Sequence, residues 1–283
     1  MTVLRGAIFA STLAFAGVVL AQGQPAQVAG SGAWVDLHGA RARLISSPAR
    51  NANGRYLAGL EVALEEGWKT YWRMPGDAGV PPTFDWSGSA NAAAIKVLYP
   101  APVRMPEAGG EVVGYKRSVV FPVDVTPQDP GKPVELKLTL ELGICREICI
   151  PAAASFSLIL TPGRTSAPAP QIAAALELVP RPQTARRAGD PELERVAVDR
   201  EGRVPRLIIE AMFRGGDKGA DVFVEAPDGL YIPLPKRSAA AANGVARFET
   251  ELAGGLDKDL KGKMLTLTLV GETGASEAEW RVP

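Results

Sequence analysis

Apolar and polar residues alternate with a period of two along much of this chain. Tyr56, Ala58, Leu60, Val62 and Leu64 share one parity, and Glu61 and Glu65 take the other. Val119, Phe121, Val123 and Val125 repeat the pattern. The longest run is Val134, Leu136, Leu138, Leu140, Leu142 and Ile144, interleaved with Glu135, Lys137, Thr139 and Glu141. Successive side chains of a strand point to opposite faces, so these runs predict strands with one buried face. Phe156, Leu158 and Leu160 predict another. Between Trp72 and Tyr115 the chain is rich in Gly and Pro and its periodicity is weak, which predicts long loops. Alternation resumes later with Leu207, Ile209, Ala211 and Phe213, then Ala246, Phe248, Thr250 and Leu252, then Leu265, Leu267 and Leu269. Asp228-Gly229 and Asn243-Gly244 are turn signals between these runs.

The stretch 162–189 breaks the alternation. It holds Pro162, Pro168, Pro170, Pro180 and Pro182 among many alanines, and reads as an interdomain linker. Within it, Gln171 to Val179 predicts a short helix with Ile172, Leu176 and Val179 as its apolar stripe. The whole pattern predicts an all-β protein of two antiparallel sandwich domains, 33–161 and 190–283, joined by this Pro-rich linker. A content of 30 Gly and 24 Pro with 6% aromatics fits many turns between short strands rather than long helices.

The first residues form a targeting segment. Arg5 is a positive start, Gly6 to Leu20 is uncharged and apolar, and Val19-Leu20-Ala21 offers small residues at a cleavage site. The apolar run falls short of the roughly 20 residues that span a bilayer. Residues 1–21 are therefore expected to be a cleaved signal peptide, leaving a soluble periplasmic chain that begins near Gln22 with no membrane span. Lys plus Arg (31) balances Asp plus Glu (31), so charge gives no reason to expect nucleic acid or an anionic membrane as partner.

The concentrated chemistry is a cysteine pair in Gly143-Ile144-Cys145-Arg146-Glu147-Ile148-Cys149-Ile150-Pro151. On a continuous strand the two Cα atoms would lie roughly 13 Å apart, beyond the ~7 Å limit of a bridge. A turn at Arg146 to Ile148 would bring them across a hairpin at about 4.5–5.5 Å, within reach. Parity puts Cys145 off the even-numbered core face, which predicts a sulfur open to a partner's thiolate. Four readings stay open at this point. The pair is redox-active, or it is a staple worth about 2 kcal/mol by loop entropy. Alternatively it is part of a soft-metal site with Met74, Met105 or His38, or it is an inert buried pair. The single His and the lack of a Ser/His/Asp set or phosphate loop argue against hydrolase chemistry.

Around these residues the sequence resembles the amino-terminal periplasmic domain of the DsbD-type thiol–disulfide interchange proteins and their ScsB-like relatives. The resemblance runs from about Ala33 to Thr161. It is carried by Glu66-Gly67-Trp68-Lys69-Thr70-Tyr71-Trp72-Arg73, Pro81-Pro82-Thr83-Phe84-Asp85-Trp86, Gly114-Tyr115-Lys116 and Cys145 to Pro151. The three-residue spacer looks like the ScsB-like branch. The resemblance implies immunoglobulin-like sandwiches and a thiol–disulfide oxidoreductase in which Cys145 and Cys149 pass electrons between thioredoxin-like periplasmic proteins, with no cofactor and no metal. It also implies an aromatic cap over the cysteines, with the segment Gly110 to Tyr115 as its counterpart and Tyr115 as its ring. Trp68, Tyr71 and Trp72 are further candidates for capping or partner docking. The family's full-length members carry transmembrane and thioredoxin-like domains that this sequence lacks, so a separate membrane reductase is expected upstream. The alternatives are a binding module with a structural disulfide and a copper-handling protein.

Overall fold

The computed structural model describes residues 32–51, 53–107, 109–163, 167–216, 218–242 and 244–283. The expected signal peptide and the Asn243 half of one turn signal lie outside them. The first group of strands comprises β1 (Val35–Leu37), β2 (Ala40–Arg50), β3 (Tyr56–Leu64), β4 (Lys69–Gly76), β5 (Thr83–Asp85), β6 (Ala92–Val97), β7 (Val103–Glu107), β8 (Gly110–Lys116), β9 (Ser118–Pro127), β10 (Val134–Cys145) and β11 (Cys149–Leu160). One sheet runs β1-β2-β3-β9-β6. The other runs β11-β10-β4-β8-β7, with β5 also paired to β10. Leu60, Phe121 and Val123 from the first sheet meet Trp72, Leu136, Leu138 and Leu140 from the second in one core.

The alternation in β10 is realised as written: Val134, Leu136, Leu138, Leu140 and Leu142 are buried and Lys137, Thr139 and Glu141 are exposed. Its last four residues, Leu142 to Cys145, are all buried, because both faces are covered there. The region expected to be long loops instead holds β4 to β8. These strands hid from the period-2 test because they are short or packed on both sides. In β4, Tyr71 and Trp72 point to opposite faces and both are buried.

Helix α1 (Pro170–Leu178) follows, and then the second group: strands β12 (Arg181–Pro182), β13 (Glu192–Asp199), β14 (Arg206–Met212), β15 (Asp221–Glu225), β16 (Lys236–Ala242) and β17 (Val245–Glu251), a short helix α2 (Leu256–Asp259), and strands β18 (Met264–Val270) and β19 (Ala275–Arg281). Sheets β12-β19-β18-β15 and β13-β14-β17-β16 enclose a second core of Ile209, Val222, Phe248, Leu265 and Leu267. Among the described strands, all pairings are antiparallel except β12 with β19.

The stretch 162–189 differs from the expected tether. Helix α1 lies over the first group, with Ile172 fully buried between Ile45 and Leu57. Just beyond it, Arg181 pairs with the buried Asp190, and β12 adds to the second group's sheet. Apolar side chains at the helical spacing outweigh the local proline content. The two groups also meet directly. Trp72 packs on Phe223 at 5.6 Å between ring centroids, and Arg73 is held by Glu225 and Glu277.

Candidate functional site

The hairpin of β10 and β11 runs in continuous register from Val134 opposite Leu160 to Cys145 opposite Cys149. Arg146 to Ile148 make the turn, and the Arg146 N–H donates to the Ile148 carbonyl at 3.2 Å. Cys145 and Cys149 are disulfide-bonded, with Cα atoms 4.1 Å apart. The turn geometry considered from sequence is the one the chain adopts.

The two sulfurs stand in different surroundings. Cys145 is 1% exposed, whereas Cys149 is exposed and follows Ile148, which is 70% exposed. Parity did place Cys145 off the main core, but the conclusion that it would be the open sulfur needs correction. It sits in a small second cluster with Tyr71, Met105 and Val112. Met105 and Val112 come from β7 and β8, whose position over the end of β10 no local pattern reveals.

Tyr71 reaches both sulfurs. Its hydroxyl donates to Cys145 Sγ at 2.9 Å and lies 3.0 Å from Cys149 Sγ. Burial first, and then the charge of Glu107, push the Tyr71 pKa above its ordinary value, so it remains a proton-bearing donor at neutral pH. Beside it, the Thr70 hydroxyl donates to the Gly143 carbonyl at 2.9 Å and ties β4 to β10. Lys69, opposite Cys145 in register, forms an ion pair with Glu107. The loop after β4 closes the other side. Gly79 lies so close to Tyr71 that a Cβ there would come within 2.6 Å of the ring, and Val80, 54% exposed, sits next to Gly143.

The other aromatic candidates lie elsewhere. Tyr115 belongs to the main core, stacks edge-on against Phe121, and donates to the Pro100 carbonyl at 2.8 Å. The reason is strand parity: Val112 of β8 faces Cys145, and Val113 and Tyr115 face the main core. Trp72 is fully buried against Phe223. Trp68 braces the turn, with the Arg146 guanidinium 5.8 Å from its ring and His38 edge-on at 5.3 Å. Met105 does lie with Cys145, while Met74 packs on the main core and His38 on Trp68. Among the described residues no group of three or more His, Cys, Asp or Glu is placed to hold a metal ion.

Residues 42–161 match the family described as thiol:disulfide interchange protein DsbD, N-terminal. The fold resembles the crystal structure of the N-terminal periplasmic domain of ScsB from Proteus mirabilis, with a TM-score of 0.67 and 24% identity. That likeness covers 90% of this chain and 99% of the other, so it takes in both groups of strands. No curated protein matches the sequence. Among the described residues, no helix is long and apolar enough to cross a membrane.

Proposed function

We propose that this chain, whose residues 42–161 match the DsbD N-terminal family, exchanges thiols and disulfides with thioredoxin-like partners through Cys145 and Cys149. The observation that carries the reading is the asymmetry of the bridge, with one sulfur open and the other buried under a hydroxyl donor. A partner's thiolate attacks Cys149 Sγ in line with the bond to Cys145. The new bond is a mixed disulfide on Cys149, and the pair of electrons from the broken bond leaves on Cys145 as a thiolate. That thiolate forms where the Tyr71 O–H already points, and hydrogen bonds to charged groups are the stronger kind. A second thiolate of the partner then attacks its own sulfur in the mixed disulfide and releases Cys149. The partner ends oxidised, and the chain gains two electrons and two protons. Run backwards, the same steps reduce a partner.

Two features support a protein partner over a structural staple. The hairpin is already held by an unbroken ladder, so a five-residue loop closure adds only about 2 kcal/mol. The exposed apolar side chains Ile148, next to Cys149 in the chain, and Val80, beside Gly143, offer a surface suited to a partner's apolar rim. Further parts of the proposal are location in the periplasm after loss of residues 1–21 and supply of electrons by a separate membrane reductase.

The test is trapping. Cys145→Ser leaves the open sulfur free to hold a partner and is expected to accumulate mixed disulfides in cells. Cys149→Ser is expected to trap little, because its remaining thiol is buried. Equal trapping by both variants, or by neither, would overturn the assignment.

A further inference from the structure

The buried sulfur lies under a collar made of two pieces. One is the loop 77–82 that follows β4, with Gly79 against Tyr71 and Val80 beside Gly143. The other is the β7–β8 hairpin, which lays Met105 and Val112 on Cys145. The pieces are bound to each other at one point. The Asp77 N–H donates to the Glu111 carbonyl at 2.9 Å, and the Glu111 N–H donates to Asp77 Oδ2 at 2.9 Å. Gly76 permits this approach: its φ is +86°, and a Cβ there would stand 2.6 Å from the Glu111 carbonyl.

Both pieces are also bound to the second group of strands. The Tyr231 hydroxyl donates to Asp77 Oδ1. Arg104 of β7 grips Asp221 with two nitrogens, Nε to Oδ2 at 2.9 Å and Nη2 to Oδ1 at 2.6 Å. Its Nη2 also donates to the Pro235 carbonyl at 2.8 Å, and its Nη1 to Glu111 at 2.9 Å. Arg104 precedes Met105, so on one strand consecutive side chains face the second domain and the buried sulfur. A forked guanidinium–carboxylate pair fixes orientation as well as distance.

We propose that the second domain holds this collar closed: Tyr231 and Asp221 are positioning residues that act through Asp77 and Arg104 to keep Cys145 out of reach of every thiol except Cys149. The inference builds on the exchange reading, yet its measurement needs no partner.

The test is alkylation of the reduced full chain by iodoacetamide, with Cys145 and Cys149 resolved by peptide mass. In the wild type Cys145 should label at least about tenfold more slowly than Cys149, as local opening must precede attack. Tyr231→Phe should raise the Cys145 to Cys149 ratio by roughly threefold, and Tyr231→Phe with Asp221→Asn by about tenfold, the size expected for losing charge-assisted bonds. Asp221→Glu keeps the charge and should stay close to wild type. Lys132→Gln breaks an exposed pair with Asp129, at the end of β10 away from Cys145, and should change nothing. Hydrogen exchange separates positioning from general loosening: the Asp77 and Glu111 amides should speed up while Leu136 to Leu140 stay protected. A ratio unmoved in both Tyr231→Phe and the double variant would overturn the proposal. Failure of the exchange reading has a different signature, with serine variants that trap nothing while the labelling ratio still responds.

Discussion

Replacing Tyr71 by Phe removes one oxygen and little else. That hydroxyl has the two sulfurs as its partners, at 2.9 and 3.0 Å, and a sulfur tolerates the loss of a weak bond. The folded, oxidised protein should therefore lose no more than about 1 kcal/mol of stability. The effect belongs in the rate. A hydrogen bond to a full charge is worth ~1.5–3 kcal/mol. When the partner's thiolate attacks Cys149, about half a charge has gathered on the leaving sulfur at the transition state. Half of that hydrogen-bond energy, about 0.7–1.5 kcal/mol, corresponds to a reduction roughly three- to tenfold slower. The assay is single-turnover reduction of the oxidised chain by excess dithiothreitol, quenched in acid and read by thiol mass tagging. Because burial and Glu107 raise the Tyr71 pKa, its O–H persists as a donor through the neutral range. The ratio of wild-type to variant rates should stay flat from about pH 6 to about pH 9. Wild-type rates in the variant at every pH would show that the hydroxyl does not support the leaving thiolate.

Three further outcomes follow from the same geometry. Ile148→Asp and Val80→Asp should slow reduction by a thioredoxin-like protein by about tenfold and leave reduction by dithiothreitol within about twofold, since the small thiol needs no apolar surface; equal slowing of both would refute a docking role. The Asp77 carboxyl is held below its ordinary value, first by the Tyr231 hydroxyl and then by the Glu111 N–H, so its tie to the collar is fully present above about pH 4 and is lost as pH falls through its lower folded value; hydrogen exchange at Glu111 should accelerate only at that acid end. Replacing both cysteines by Ser should abolish exchange and cost only about 2 kcal/mol in chemical denaturation, and a much larger loss would favour the staple.

Much of the framework was readable from residue order, and the exceptions share a cause. The β10–β11 hairpin and its core face follow from Val134 to Ile144 because one side of that pairing meets the core and the other meets water. The short turn could be stated as a condition for the bridge, and it is met. Where both faces of a strand are covered, alternation vanishes, and with it the signal for β4 and β8. The same blind spot misassigned the sulfurs. Parity reports which side of a strand a residue takes, but says nothing of what a distant segment lays over that side. Met105 and Val112 were needed for that, and they come from a region whose Gly and Pro content pointed to loops. Tyr115 was displaced as cap by one step of parity on β8, and Tyr71, one of three aromatics within five positions, holds the place at the sulfurs. Composition misled once more in 162–189, where Ile172 at zero exposure anchors what prolines marked as a tether.

The unpatterned run Tyr71-Trp72-Arg73 has its own logic. A strand residue can serve only one side, so a strand that must serve two partners alternates between them. Tyr71 goes to the sulfurs, Trp72 goes to the core and Phe223, and the Arg73 guanidinium lies over the Trp72 ring at 4.5 Å while Glu225 and Glu277 hold it. On β7 the same division recurs with Arg104 and Met105. Two of the strands that touch the buried sulfur, β4 and β7, thus carry, one or two residues away, an arginine clasped by acids of the second group of strands. A guanidinium held by acids from another domain, and one that stacks on an aromatic ring as Arg73 does, restrains the position of its own strand as well as the contact between domains. These ion pairs therefore fall on strands whose displacement would uncover Cys145, and in the proposed collar a docked second group of strands is the condition under which the two sulfurs stay unequal.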